Sequence, residues 1–279
     1  MDQTVSVDYG YLRQIVWDVS QNVLDASRDY LFDTRLTRLL RNQGMTHLGE
    51  LVHKLRVAKN SALEREVAEA MTINETSFFR DLRPFDLLQE ELLPKIIEAR
   101  RHRRTLRLWS AACATGQEAY SLAMLLLEHF PMLVGWSIVI EGTDICSEVI
   151  ERAKSGCYQR IEMNRGLPAR HVVRYFDHVG EEWIVKPEVR RLCHFRQANL
   201  CGPAMPFSRA TDGFDVIFLR NVMLYFDQPT RRNLMTGVHR LLAQDGVLFL
   251  GSSEQPADPS LWTPILSGGT CYFRPRAPS

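Results

Sequence analysis

Apolar positions in the first part of the chain recur at intervals of three and four. Tyr11, Ile15 and Val19 make one stripe, Leu36, Leu39 and Leu40 a second, and Leu48, Leu51, Val52 and Leu55 a third. This is the spacing of helices that bury one face. No run here alternates as a strand does, so an all-α amino-terminal domain is expected, taken as 1–89. The segment EELLPKIIEARRHRR that follows opens with acids and closes with bases, the order a helix dipole favours. It predicts a linker helix over 90–105.

Beyond residue 105 the period changes. TLRLWSA, GWSIVIEGTDI, FDVIFLRN and GVLFLGSSE are short apolar runs, and GQEAYSLAMLLLEHF and QPTRRNLMTGVHRLLAQDG between them have helical spacing. Alternation of this kind implies βαβ units. The fold class predicted for 106–279 is therefore α/β, a doubly wound, mostly parallel sheet with helices on both faces. One region breaks the rhythm. Between about 155 and 198 a turn signal at HVGEE separates VVRYF from WIVKPEV, with RLCHFRQ after them, and an inserted antiparallel hairpin or three-stranded ribbon is expected there.

The bulk numbers narrow the class. With 279 residues, 45% hydrophobic and 24% charged, the chain can build one large core or two smaller ones. It has no apolar run near the roughly 20 residues that cross a bilayer, and the start MDQTVSVDYG lacks the basic and then apolar character of a secretory signal. A cytosolic protein with no direct membrane insertion is the expectation. The net charge of +1 gives the whole molecule no attraction for nucleic acid. RRHRR closes a helix with no aromatic platform beside it, so no nucleic-acid partner is expected. Six cysteines and the histidines His47, His53, His171, His178 and His194 show no zinc spacing, and no metal site is expected.

The stretch LWSAACATGQEAYSLAM carries the candidate chemistry. A strand-like run stops at small residues, Thr115-Gly116 makes a bend, and a helix pattern begins. In open α/β sheets ligands sit at such strand ends, where helix N–H groups are free. A dinucleotide pyrophosphate demands several glycines at this turn. Here Ala111, Ala112, Cys113 and Ala114 precede a single glycine, so a ligand without phosphate fits better. S-adenosylmethionine is such a ligand. Asp144, after the second strand-like run, would hold its ribose, and Glu118 its ammonium, although an isolated acid after a strand is more often a helix cap. Cys113 reads as small apolar filler, since no histidine adjoins it.

Taken together, MTINETSFFRD, WSAACATGQEAYSLAM, EGTDI, ANL, FLRNVMLYF and GVLFLGSSE occur in an order that resembles the chemotaxis receptor glutamate methyltransferases, the CheR type. The resemblance runs from about residue 10 to 274. It implies a Rossmann-like methyltransferase sheet, and methyl transfer from S-adenosylmethionine to receptor glutamates with S-adenosylhomocysteine as product. By the same resemblance Asn74, Thr76, Arg80, Glu118, Asp144, Asn199, Leu200, Arg220 and Asn221 contact the cofactor. Arg80 and Tyr225 orient the incoming carboxylate, and sequence alone leaves open whether Arg80 instead holds the cofactor's own carboxylate. The family commonly has S-T-G-E-E-P-Y where this chain has ATGQEAY, so Gln117 replaces an acid and Ala119 a proline, with little loss of binding expected.

Arg35, Arg38 and Arg41 recur every three residues and would lie along one helical face. Such a run is as often a solvated face. The resemblance makes it a dock for the acidic, cytoplasmic coiled coil of a chemoreceptor, in membrane-bound receptor arrays. In some members of the family the inserted ribbon captures a receptor carboxyl-terminal peptide, and Arg160, Arg165, Arg170 and Arg174 would suit an acidic one. A regulatory protein partner is also left open. Two other functions remain at this stage: methylation of a different carboxylate or small molecule, and an inactive S-adenosylmethionine-sensing module.

Overall fold

The computed structural model describes residues 7–58, 60–202, 205–207 and 213–276. The chain divides into two compact units, one of the described residues up to Ile73 together with Leu224–Thr230, the other of Asn74–Met223 and the residues from Arg231 onward.

The smaller unit is helical, as its periodicity requires. Helices Tyr9–Ser20, Tyr30–Arg35, Thr37–Asn42, Leu48–Ala58 and Ser61–Ala70 enclose a core that includes Leu12, Ile15, Val16, Phe32, Leu36, Leu51, Val52, Leu55, Leu63 and Val67. Two starts are capped: the Asp8 carboxylate accepts the Tyr11 N–H at 2.9 Å, and Asn60 Oδ1 accepts the Ala62 N–H at 3.0 Å, satisfying donors that a helix leaves unpaired. The first stripe is turned from its expected setting. Leu12, Ile15 and Val16 are buried, while Tyr11 and Val19 lie at the margin. Leu224–Thr230 joins this unit through the Val23 N–H, which donates to the Tyr225 carbonyl at 2.8 Å.

The larger unit carries strands β1 (Thr105–Ala111), β2 (Ser137–Asp144), β3 (Cys157–Gln159), β4 (Phe176–Val179), β5 (Glu182–Val185), β6 (Cys193–Gln197), β7 (Phe214–Leu219), β8 (Leu242–Leu250), β9 (Trp262–Ser267) and β10 (Thr270–Pro275). Seven of them form one sheet in the order β6-β2-β1-β7-β8-β10-β9. The first five are parallel to their neighbours, and β10 is antiparallel to both β8 and β9. β7 is buried at every position, as a run of FDVIFL in the middle of a covered parallel sheet should be. After β1 the chain moves outward through β2 and β6, then returns to place β7 on the other side of β1. The carboxyl ends of β1, β2 and β7 thus flank a topological switch point, where open α/β sheets bind ligands.

Four expectations need correction. Residues 90–105 are not a linker: the helix over Leu93–Arg100 follows on from Arg83–Leu87, and Phe85, Leu88, Leu92, Leu93 and Ile96 lie in the same core as the strands. The same burial of Phe78, Phe79 and Phe85 ends the helical unit at Ile73, short of 89. In the insertion, β3, β5 and β4 form the small antiparallel sheet, with the turn after Val179 as expected. VVRYF is mostly helix, Ala169–Tyr175, and RLCHFRQ leaves the insertion to pair with β2 as β6. Among the described residues, no helix is long and apolar enough to cross a membrane.

Candidate functional site

The turn after β1 is tight and strained. Ala112 and Ala114 have φ of 58° and 47°, a left-handed conformation that costs a non-glycine residue roughly 1–2 kcal/mol. Gly116 follows at φ 91°, and an added Cβ there would stand 2.9 Å from the Ala153 Cβ and 3.1 Å from the Phe195 ring. Strain of this sort persists where the surroundings over-determine it. They do here: Asp144 Oδ2 accepts the Ala114 N–H at 2.9 Å, the Thr143 carbonyl accepts the Cys113 N–H at 2.9 Å, and the Tyr158 hydroxyl donates to the Thr115 carbonyl at 2.6 Å.

Asp144 is the last residue of β2 and is buried. Its other oxygen accepts the Cys146 N–H at 3.0 Å, one residue before the Ser147–Ser155 helix begins. The two backbone bonds fix the plane of its carboxylate. Cys113 is filler, as expected. Burial, and after it the charges of Asp144 and Glu118, push its thiol well above the usual range, so it stays protonated and is no nucleophile.

Glu118 stands in the first turn of the Gln117–His129 helix. Its Oε1 accepts from the Ser110 hydroxyl at 2.7 Å and its Oε2 from Arg220 Nη1 at 3.1 Å. Arg220 comes directly after β7 and its side chain is only 2% exposed. Its Nη2 reaches Asp81 Oδ2 at 2.6 Å and the Arg80 carbonyl at 3.0 Å. Arg220, Glu118 and Asp81 therefore form one cluster across the carboxyl ends of β1 and β7. Asp81 and Ser110 are its members that sequence reasoning missed. Phe79, Asp81 and Leu82 take left-handed φ of 47°, 64° and 37°, and Asp81 meets Arg220 while Arg80 Nη1 donates to the Glu75 carbonyl at 3.0 Å.

The remaining residues are placed as follows. Asn74 and Thr76 are half-buried in the irregular segment leading to Phe78. Asn199 follows β6, where its Oδ1 accepts the Cys201 N–H at 2.9 Å, and Leu200 is buried. The Ala198 N–H donates to the Asp144 carbonyl at 2.7 Å, tying this turn to the end of β2. Asn221, at φ 59°, adjoins the cluster through Arg220. Tyr225 belongs to the helical unit and is half-buried.

The donor set fits a sulfonium nucleoside. Carboxylates end β2 and open the helix after β1, no glycine-rich cradle is offered to a pyrophosphate, and Arg220 Nε is buried without a partner. An orphaned buried N–H is uncommon and calls for an explanation, and an anionic group of a ligand would supply one. Gln117 is buried and turned away from the cluster: its Oε1 accepts from the Thr115 hydroxyl at 2.8 Å, and its Nε2 lies 3.4 Å from Glu162 Oε1. Among the described residues, no group of His, Cys, Asp and Glu could hold a metal ion.

The three arginines of the helical unit do not share one helix face. The helix ends at Arg35 and a second starts at Thr37. Arg35 is half-buried and Nη1 donates to the Met71 carbonyl at 2.8 Å, closing the end of the Ser61–Ala70 helix, while Arg38 and Arg41 are exposed.

A family model described as the CheR methyltransferase SAM-binding domain matches residues 74–267. The chain is 37% identical over 253 residues to chemotaxis protein methyltransferase 1 of Pseudomonas aeruginosa, covering 89% of this chain and 90% of that one. It is 34% identical to a chemotaxis protein methyltransferase of Pseudomonas putida, covering 90% and 91%, and 35% identical to one of Vibrio anguillarum, covering 83% of each.

Proposed function

The chain belongs to the CheR methyltransferase family and binds S-adenosylmethionine, and on that premise we propose that it esterifies glutamate side chains of chemoreceptors, giving the γ-methyl ester and S-adenosylhomocysteine. The observation that carries the reading is the Arg220–Glu118–Asp81 cluster beside Asp144, at the switch point of the sheet.

The cofactor supplies an electrophilic methyl on a sulfonium. The substrate supplies its own nucleophile, because a glutamate with a reference pKa of about 4.3 is ionised at neutral pH. No general base is needed, and the protein's task is placement and exclusion of water. Asp144 takes the ribose hydroxyls and Glu118 the ammonium. Asn199 and Leu200 flank the adenine. Arg220 and Asn221 close the site from the end of β7, and Asn74, Thr76 and Arg80 from the segment before the Arg83–Leu87 helix. Arg80 offers a planar fork to a carboxylate. Tyr225 is assigned a part in orienting the substrate by the family resemblance alone, and Tyr225→Phe is expected to keep cofactor affinity and lower turnover.

The substrate would be the cytoplasmic coiled coil of receptors in membrane-bound arrays, with Arg38 and Arg41 as the exposed basic positions for it. Arg35, already bonded to a helix end, has a structural share in the same surface. A receptor carboxyl-terminal peptide would reach the small sheet of β3, β5 and β4. The deciding experiment is transfer of tritiated methyl from labelled cofactor to receptor-bearing membranes, followed by mild base. Volatile labelled methanol is expected. Base-stable label would mean a different acceptor, and no transfer would leave a cofactor-sensing module.

A further inference from the structure

Glu254 lies in the turn after β8, is 5% exposed, and has no part in the reaction as set out above. Its Oε2 accepts the N–H of Gly251 at 2.7 Å and that of Asn221 at 2.7 Å. Its Oε1 accepts the N–H of Met223 at 2.8 Å. One carboxylate thus ties the end of β8 to the turn that leaves β7. That turn is the one in which Asn221 holds its left-handed φ of 59°, a conformation asparagine tolerates better than most residues and which the Glu254 bond to its N–H pins in place. The packing is equally close. A Cβ on Gly251 would fall 2.7 Å from Glu254 Oε2 and 2.9 Å from Asn221 Nδ2.

We propose that Glu254 is a positioning residue for the cofactor site: its carboxylate, held by three backbone N–H groups, fixes the Arg220–Asn221 turn in the geometry that receives S-adenosylmethionine. The proposal rests on the reading that Arg220 and Asn221 touch the cofactor. A carboxylate is required by the hydrogen-bond count. All three groups facing it are donors, so both oxygens must accept. Glutamine in its place presents an NH2 to a backbone N–H, donor against donor, and releases at least one strand of the tie. Aspartate is a methylene too short to reach both strand ends from the same backbone position.

The test compares Glu254→Gln, Gly251→Ala and Asn221→Ala by calorimetric titration with S-adenosylhomocysteine, at a temperature where thermal melts show each variant fully folded. Glu254→Gln is expected to weaken binding about tenfold or more, the consequence of one buried polar group left unsatisfied. Gly251→Ala, which keeps the carboxylate and displaces it by contact, is expected to do the same and guards against misfolding of the first variant. In steady-state assays the loss should appear as a raised KM for S-adenosylmethionine, with kcat within about twofold, because the tie acts on binding. A merely structural role predicts a lower melting temperature with unchanged affinity, and that result overturns the proposal. If Asn221→Ala weakens binding and Glu254→Gln does not, the positioning role alone is lost. Should Asn221→Ala bind normally, the assignment of the β7 end to the cofactor fails, and the proposal with it.

Discussion

The amino-terminal and carboxyl-terminal edges of the parallel sheet each bury an arginine between two carboxylates. At the amino-terminal edge Arg100 donates from Nε to Asp215 at 2.6 Å and through Nη1 and Nη2 to both oxygens of Asp245. The second oxygen of Asp215 accepts the Arg107 N–H at 2.8 Å. Burial still holds the Asp215 carboxyl above its usual range, while the Arg100 bond holds the more exposed Asp245 below it. At the carboxyl-terminal edge Arg220 faces Glu118 and Asp81 with Nε orphaned, among left-handed turns at Ala112, Ala114, Asp81 and Asn221. The same residue types make a closed network at one edge and an unfinished one at the other. The closed network of buried charges serves the fold; the unfinished one is where the cofactor proposed above would supply the missing partner.

Breaking the closed edge should give the largest effect. Arg100→Met leaves Asp215 buried with only the longer Arg103 Nη2 contact at 3.4 Å for a cation, which should cost about 3 kcal/mol, the low end for a broken buried pair, and lower the melting temperature by about 10 °C. The affinity of the protein still folded for S-adenosylhomocysteine should not change. A melting temperature within a degree or two of the parent would show that Arg100 is not holding the edge together.

The open edge should respond the other way. Arg220→Met is expected to lose about 2 kcal/mol of cofactor binding, roughly 30-fold in Kd, with a smaller loss of stability than Arg100→Met. Titration and melting of the two variants side by side would sharpen the contrast or erase it; equal loss of stability with intact binding at Arg220 would erase it.

How far this contrast was legible in sequence depends on the range of the contacts. The strands that end at the site were readable, because TLRLWSA, WSIVIEGTD and FDVIFL are apolar enough to declare strands, and Glu118 and Asp144 were picked out from their places just past the first run and at the end of the second. Asp81 was not legible, because its partner Arg220 stands 139 residues away in sequence and only the folded sheet brings the two segments together. β6 was misassigned because CHFRQ is short and polar and lies at the sheet edge, where burial leaves little pattern. EELLPKII reads as a linker when its charges are weighed, yet Leu92, Leu93 and Ile96 lie in the core. RRHRR is basic in sequence, but Arg100 is buried and paired. Glu254 sits in GSSE, which reads as a turn, and nothing local shows that three N–H groups converge on it.

Acidity separates the edges further. His171 is buried against Phe79, next to the segment that bonds Arg220, and neither ring nitrogen has a partner. Burial lowers its pKa below the usual 6.5, Glu128 opposing and Arg170, His129 and Arg174 assisting. Between the folded pKa and 6.5 the unfolded chain binds the extra proton, so stability rises with pH through that window. The His171 contribution is complete above 6.5 and lost as pH falls through the folded value. At the other edge the depressed Asp245 loses its contribution only below the usual carboxylate range. Melting temperatures from pH 7.5 down to 5 should therefore fall in the parent and stay nearly level in His171→Phe; parallel curves would remove His171 as the cause.

The smallest expected change tests whether the turn after β1 belongs wholly to the open edge. Gln117 departs from the acid common in the family, and its amide points to Glu162 rather than to Arg220. Glu162 is already engaged by the Gln159 N–H at 2.9 Å and by Arg152. Gln117→Glu would set a buried carboxylate against Glu162 at that distance and should cost about 1 kcal/mol, the low end for a buried polar group that loses its partner, because Glu162 is already held by Arg152. Binding of S-adenosylhomocysteine should stay within about twofold. In a double-mutant cycle, Glu162→Gln should restore the lost stability, because coupled neighbours depart from additivity where distant ones do not. A large fall in cofactor affinity instead would mean that residue 117 reaches the cofactor, and that the open edge extends one residue further into the helix than the Glu118–Arg220 contact marks.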